Sequence, residues 1–245
     1  MPHDDFEEFA AERRRSIAET SANTALHAQA KALMRDAGGR YSYNFDWLGL
    51  PIIQYPQDIV AIQELLWRIR PAVVVETGVA RGGSLALSAS ILELIGGDGI
   101  VVGVDIDIRA HNRRAIEAHP LAPRIRLVEG SSTAPDVVDE VTSHVAGQRP
   151  VLVFLDSLHT HEHVLEELRA YSPLVEPGSY IVVFDTVIDD LPADEFLDRP
   201  WGPGDNPKTA VHAFLVESDR FEIDDDYDAK LLISAAPNGY LRCVR

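Results

Sequence analysis

The chain of 245 residues contains one cysteine, Cys243, so no internal disulfide can staple it. None is needed, because a chain of this length buries most of the surface that its unfolded form exposes. A reducing, cytoplasmic setting is the simplest expectation. Apolar runs of membrane-spanning length are missing as well, and the longest are only of strand length. Residues 1–15 are charged and carry no apolar h-region, so no secretory signal is expected. Basic residues are scarce: 22 Lys and Arg stand against 39 Asp and Glu, a net charge of −17. Such a surface repels phosphate backbones and anionic lipid, which argues against nucleic acid and membrane and leaves a small molecule as the expected partner.

What is present is an alternation of short apolar runs and amphipathic segments. Residues 1–45 read as a helical appendage, with Leu26, Ala30, Leu33 and Met34 at helical spacing and Asp36-Ala-Gly-Gly39 as the stop. An aromatic connector, Tyr41 to Tyr55, suits a subunit contact, and a homo-oligomer is expected. A helix follows from Pro56, with Ile59, Ile62, Leu66 and Ile69 as its stripe. The division expected is residues 1–55 as extension and connector and 56–245 as the main domain. From Ala72 the reading is strand, helix, strand, repeated to a fifth strand at Tyr180–Phe184. The strands are continuous runs such as Val73-Val-Val75 and Ile181-Val-Val183, which implies burial on both faces. The fold class expected is α/β, Rossmann-like, with a mainly parallel seven-stranded sheet, helices on both faces and a C-terminal antiparallel hairpin. Two segments break the rhythm. Val187–Pro207 reads as a long proline-rich and acidic loop, a candidate mobile lid. The tail from Phe221 reads as strand, strand, a Pro237-Asn-Gly239 turn and a last strand.

Ligands of open parallel sheets bind beyond the carboxyl ends of the strands. After the first strand comes Glu76-Thr-Gly78-Val-Ala-Arg-Gly82-Gly-Ser84, a loop whose glycines let backbone approach a ligand before a helix N-terminus. Its spacing is not the G-x-G-x-x-G of nicotinamide enzymes. The second strand ends in Asp105-Ile-Asp107. Asp105 lies about 20 residues beyond the loop, where an acid accepts hydrogen bonds from ribose, and Asp107 reads as a helix cap. Glu129-Gly-Ser131-Ser132, after the third strand, suits either an adenine site or a capping turn. The fourth and fifth strands end in Asp156-Ser-Leu-His159 and Phe184-Asp185. Carboxylates at Asp156 and Asp185 would converge as a hard cation requires, and His159 is a candidate general base. His161 and His163 read as surface or interface residues. Alternate helical positions lie about 200° apart and cannot share a metal.

Trp47-Leu-Gly-Leu-Pro51, Glu76-Thr-Gly78…Gly82-Gly-Ser84, Gly103-Val-Asp105-Ile-Asp107, Glu129-Gly-Ser-Ser132, Leu155-Asp156-Ser157, Tyr180–Asp185 and Pro237-Asn-Gly-Tyr240 together resemble the cephalosporin hydroxylase and rhamnosyl O-methyltransferase family. The resemblance runs from about Trp47 to the C-terminus. It implies a class I methyltransferase fold, S-adenosylmethionine (SAM) as methyl donor, magnesium, and a sugar hydroxyl of a natural product as acceptor. By the same resemblance Glu76, Gly78 and Ser84 would hold the methionine part of SAM, Asp105 the ribose, and Asp156 and Asp185 the metal. Phe184 stands where that family often has a second carboxylate. The alternatives kept beside this reading are an NAD-linked oxidoreductase and a non-catalytic partner protein that retains the fold.

Overall fold

The computed structural model describes residues 3–245. Two helices, α1 (His3–Ala22) and α2 (Thr24–Ala37), come first, followed by a hairpin of β1 (Phe45–Trp47) and β2 (Leu50–Ile52) and by α3 (Pro56–Ile69). Then β3 (Val73–Thr77), α4 (Gly83–Ile95), β4 (Ile100–Asp105), α5 (Ala110–Glu117) and β5 (Ile125–Glu129) build one half of the sheet. The other half holds α6 (Pro135–Val145), β6 (Val151–Leu155), α7 (His161–Tyr171), β7 (Tyr180–Val183), α8 (Pro207–Glu217), β8 (Phe221–Ile223), α9 (Asp225–Leu231) and β9 (Tyr240–Cys243).

The seven-stranded sheet has the order β5-β4-β3-β6-β7-β9-β8, parallel from β5 to β7, with β9 antiparallel to both β7 and β8. The expected sheet and its antiparallel edge are both there. Continuous valine runs produce it because each strand is covered twice. Val73 and Val75 pack into one apolar layer with Val102 and Val104, while Val74 faces the other with Val101. Each fully buried valine contributes about 1.5 kcal/mol or more. The chain leaves β3 towards β4 and β5 and then returns to β6, on the other side of β3. That reversal makes the ends of β3 and β6 the binding crevice of the sheet.

Within α3 the buried apolar residues are Ala61, Ile62, Leu65 and Leu66, while Ile59 and Ile69 are only partly covered. Asp58 on the same helix is fully buried. It accepts from Ser234 Oγ at 2.6 Å, Ala235 N at 2.8 Å and Tyr240 Oη at 3.0 Å, tying α3 to the C-terminal turn.

The structure departs from the expected tail. Its middle segment is the helix α9 rather than a strand. Tyr227, Ala229 and Leu231 are buried at alternate positions, which is the strand period. Asp224–Asp226 at the start favour a helix, because carboxylates stabilise its N-terminus. Residues 207–217 form α8, a helix not anticipated from the sequence, started by a capping box at Asn206. The Val187–Pro207 segment is not one open loop. Turns of 3-10 helix span Thr186–Asp190 and Ala193–Phe196, and Val187 and Ile188 are buried. Asp189 accepts from Gly204 N at 3.0 Å and Asn206 Nδ2 at 2.8 Å, and Asp205 accepts from His161 N at 2.8 Å. The two ends of this segment are anchored and form a wall, while residues 193–200 between them are largely exposed. Asp107 does not cap α5 either, since that helix starts after Arg109 with no side-chain cap.

Candidate active site

The parallel strands contribute to the crevice through their C-terminal ends, and α4 through its N-terminus. At the end of β3 the backbone turns at Gly78, whose φ is +94°. A Cβ there would come within 2.0 Å of the Asp156 carbonyl oxygen, so the loop after β3 and the end of β6 touch backbone to backbone. Gly82, with φ +85°, is the left-handed residue that opens α4. Gly83 lies so close to the β2 strand that a Cβ would sit 2.3 Å from the Pro51 carbonyl. The hairpin before α3 is thus part of the crevice, and Pro51, Ile53 and Gln54 line it with Gly78, Ser84 and Asp156.

Glu76 is buried at the floor. Ser84 Oγ donates to its Oε1, and Oε2 is buried without a hydrogen-bond partner. Burial pushes its carboxyl up to about 7, against the opposing donation from Ser84. A buried acceptor left open is costly unless a ligand completes it. Gln54 Oε1, also in the lining, is buried and unpartnered too. Asp105 stands beside the loop. Its Oδ2 accepts from Val79 N at 2.9 Å and Ala80 N at 3.2 Å, and its Oδ1 from Asp107 N at 3.1 Å. Asn112 Nδ2 donates to the Ala80 carbonyl at 2.6 Å, holding the same loop from the side of α5. Asn112 carried no signal in the sequence, because only the tertiary packing of α5 brings it there. Ser131 lies after β5, its hydroxyl 3.3 Å from that of Thr133.

Asp156, His159 and Asp185 converge at the ends of β6 and β7, with one ligand atom from each within 4.8 Å of the others. His159 Nε2 lies 3.0 Å from Asp185 Oδ2. Burial raises the Asp156 carboxyl well above the usual range, and the charges of Asp185 and Glu76 raise it further. Asp185 adopts a left-handed φ of 55°, which bends the chain away from β7. Phe184 is buried and packs against the Phe154 ring at 6.1 Å, in the apolar layer that holds Val74 and Val101. Trp201, from the anchored wall, meets the His159 ring edge to face at 4.8 Å. Tyr55 borders the same group. Its hydroxyl is pushed up to about 12 by burial and then by Asp185.

His161 and His163 are not free surface residues. His161 Nδ1 is 2.8 Å from Thr209 Oγ1, which links α7 to α8. His163 Nε2 lies 3.0 Å from Ser132 Oγ and 3.1 Å from Ser157 Oγ.

A doubly covered parallel sheet with its glycine turn after β3, an acid after β4 and an antiparallel last strand defines the class I methyltransferase fold. The fold recurs in a solved structure of CmcI with S-adenosylhomocysteine (SAH), which matches at TM-score 0.59 and 22% identity over 84% of this chain and 85% of that one. A family model described as Rhamnosyl O-methyltransferase/CmcI matches residues 39–244. The rhamnosyl O-methyltransferase of Mycobacterium tuberculosis is 32% identical over 201 residues, covering 80% of this chain and 76% of that protein. Its counterpart in Mycobacterium leprae is 30% identical over 198 residues, covering 80% and 81%. The chain belongs to the Rhamnosyl O-methyltransferase/CmcI family, and it is an O-methyltransferase.

Proposed function

We propose that the protein transfers the methyl group of SAM to a hydroxyl of a sugar or a glycosylated small molecule, at the site built by Asp156, His159 and Asp185. One observation carries this reading: three proton- or metal-binding side chains converge within 4.8 Å beside the glycine-turn cleft. The rhamnosyl O-methyltransferases among its relatives support a sugar acceptor.

The cleft suits SAM on its own chemistry. Glu76 offers a buried carboxylate oxygen with no partner to the ammonium of the methionine part, and Ser84 fixes the other oxygen. Gly78 lets the loop pack backbone to backbone on the end of β6, and Gly82 lets the start of α4 pack on Ile116, so the cleft wall stays close to the sheet. Asp105 gives three of its roughly four acceptor positions to backbone amides, which leaves capacity for a ribose hydroxyl. Ser131, in the loop after β5, is the candidate contact for the purine. When bound, SAM supplies a sulfonium-activated methyl group whose displacement by oxygen depends on alignment.

Asp156 and Asp185 form an oxygen donor set suited to a hard dication such as magnesium, which tolerates few protein ligands. Such an ion, when bound, supplies a Lewis acid that makes a nearby hydroxyl more acidic. His159 supplies the base. If its Nε2–H donates to Asp185, the tautomer is fixed and Nδ1 carries the lone pair that takes the acceptor proton. Trp201 and Tyr55 wall the group and limit water. We also propose a cytoplasmic setting, in keeping with the lack of any described helix able to cross a membrane, and a homo-oligomer, with exposed Tyr43 and Leu48 of the connector available for contact.

Methyl transfer from SAM to a rhamnoside, measured with EDTA and with added magnesium, tests the site. Asp156→Asn is expected to lose activity and metal dependence together. His159→Ala is expected to lose about 10²–10⁴-fold in rate. Full activity in both Asp156→Asn and Asp185→Asn would move the chemistry elsewhere.

A further inference from the structure

The end of the sheet that carries the catalytic group also holds a second, open cavity of about 260 Å³. That is close to the size at which small-molecule sites begin, about 300 Å³. The cavity is framed by α2, by the stretch that follows β7, by the start of α8 and by the turn that leads from α9 into β9. Its lining shares no residue with that of the glycine-turn cleft. The catalytic group links the two. Asp156 lines the cleft. Asp185 lies two residues before Val187, which lines the cavity, and Thr186 between them donates to the carbonyl of Pro237 in the same lining at 2.8 Å.

The polar groups of this cavity are only partly used. The Lys208 side chain is 12% exposed, and its Nζ spends one proton on Asp190 at 2.7 Å. Further N–H donors remain on it, and a cation so far buried is costly unless they are met. Lys31, on α2, reaches the same carboxylate at 2.9 Å. Asp228 accepts from the backbone N and from Nδ2 of Asn238. The Asn238 amide is thereby oriented, and its Oδ1 has no protein partner among the described residues. His27 Nε2 lies 3.1 Å from the Thr20 carbonyl, so it carries the hydrogen and leaves Nδ1 as an acceptor. Donors and acceptors are open together, as suits a ligand whose hydroxyls both donate and accept. Lys31 and Lys208 balance Asp190 and Asp228, so no net charge selects an anion. Met34, Leu191 and Leu232 supply apolar surface. Leu232 holds a φ of +60°, and Ile233 N donates across it to the Leu231 carbonyl at 2.6 Å. This is the rare and strained form of the γ-turn, and such strain gathers at ligand sites.

We propose that this cavity binds a neutral sugar ring of the glycosylated acceptor. Lys208, Asp228 and Asn238 take its hydroxyls, and Leu191 and Leu232 take its apolar face. The inference rests on the sugar-acceptor reading and deepens it by locating the ring.

Methyl transfer from SAM to methyl rhamnoside, used as the probe, gives kcat and KM, and calorimetry gives the affinity for SAH. Circular dichroism and Tm report folding. Lys208→Met removes the open donors, and Leu191→Trp, at a half-buried position, fills the cavity. Each is expected to raise KM for the rhamnoside about tenfold, while kcat and SAH affinity stay within about twofold. Should Lys208→Met fail to fold without its bond to Asp190, Leu191→Trp carries the test. An unchanged KM in a folded variant, or a loss shared between KM and SAH affinity, overturns the proposal. So does inhibition of the wild type by inorganic phosphate that Lys208→Met relieves, since the cavity would then take an anion. The failures are separable. No SAH binding overturns the SAM reading, and SAH binding without turnover of the rhamnoside overturns the sugar reading and this inference with it. Turnover with both variants unaffected overturns this inference alone.

Discussion

At the scale of single residues, Glu76 makes the most testable statement. Its carboxyl is pushed up to about 7 by burial, so near neutral pH much of the ligand-free protein holds it protonated. An ammonium placed at its open oxygen favours the charged form. Binding of SAH at about pH 6.5 should therefore release protons. Calorimetry in two buffers of different ionisation enthalpy measures this, and Glu76→Gln should abolish the release and weaken binding by about 1.5–3 kcal/mol. A buffer-independent enthalpy in the wild type would separate Glu76 from the amino group. Glu76 was legible in the sequence as the acid ahead of the glycine turn. Its unpartnered oxygen was not, because that depends on how Ser84 and the neighbouring strands cover it.

At the scale of elements, the crevice depends on close backbone approach between the hairpin and α4. Gly83→Ala would drive a Cβ to 2.3 Å from the Pro51 carbonyl, so one of the two elements must shift. Overpacking of this kind costs about 1–3 kcal/mol. Lower Tm and weaker SAH binding are expected together. Gly39→Ala, where no atom lies within 4 Å of the added carbon, is the control and should stay within about 0.5 kcal/mol of wild type. Thermal unfolding of both variants decides it, and an unperturbed Gly83→Ala protein would contradict the contact. Apart from α8, the main helices and the parallel strands could be read from the chain because each carries its own period and its own breaks. α9 could not, since its alternate burial imitates a strand. Nor could the anchoring of the segment after β7, whose hydrogen bonds run between residues that are far apart in sequence.

For the whole molecule, several buried carboxyls act in the same direction. Burial raises Glu76 to about 7, Asp58 to about 6 and Asp228 to about 6. Between roughly pH 4 and 7 the folded protein keeps protons that the unfolded chain has released. Folding stability should therefore be greatest at the acid end of that window and fall as pH rises through the folded values, flattening above about 7. Asp189 and Asp190, held below the usual range by hydrogen bonds to Gly204 and Lys208 respectively, act oppositely at the acid limit. Urea unfolding of the ligand-free protein at about pH 5 and pH 7.5 checks the sign. Asp58→Asn should reduce the difference between them, and equal or greater stability at the higher pH would refute the assignment.

By itself the sequence determined the parallel sheet, the glycine turn with its flanking acid, and the strand-end carboxylates. Each of these is written in a local pattern of apolar runs and punctuation. Tertiary structure alone decided the rest: that His159 lies 3.0 Å from Asp185, that Phe184 turns into the core, and that His163 serves a buried cluster rather than the surface. A side chain's residue type and spacing state what it can bond. Which partner it meets depends on where distant strands end, and that is settled only when the sheet closes around them.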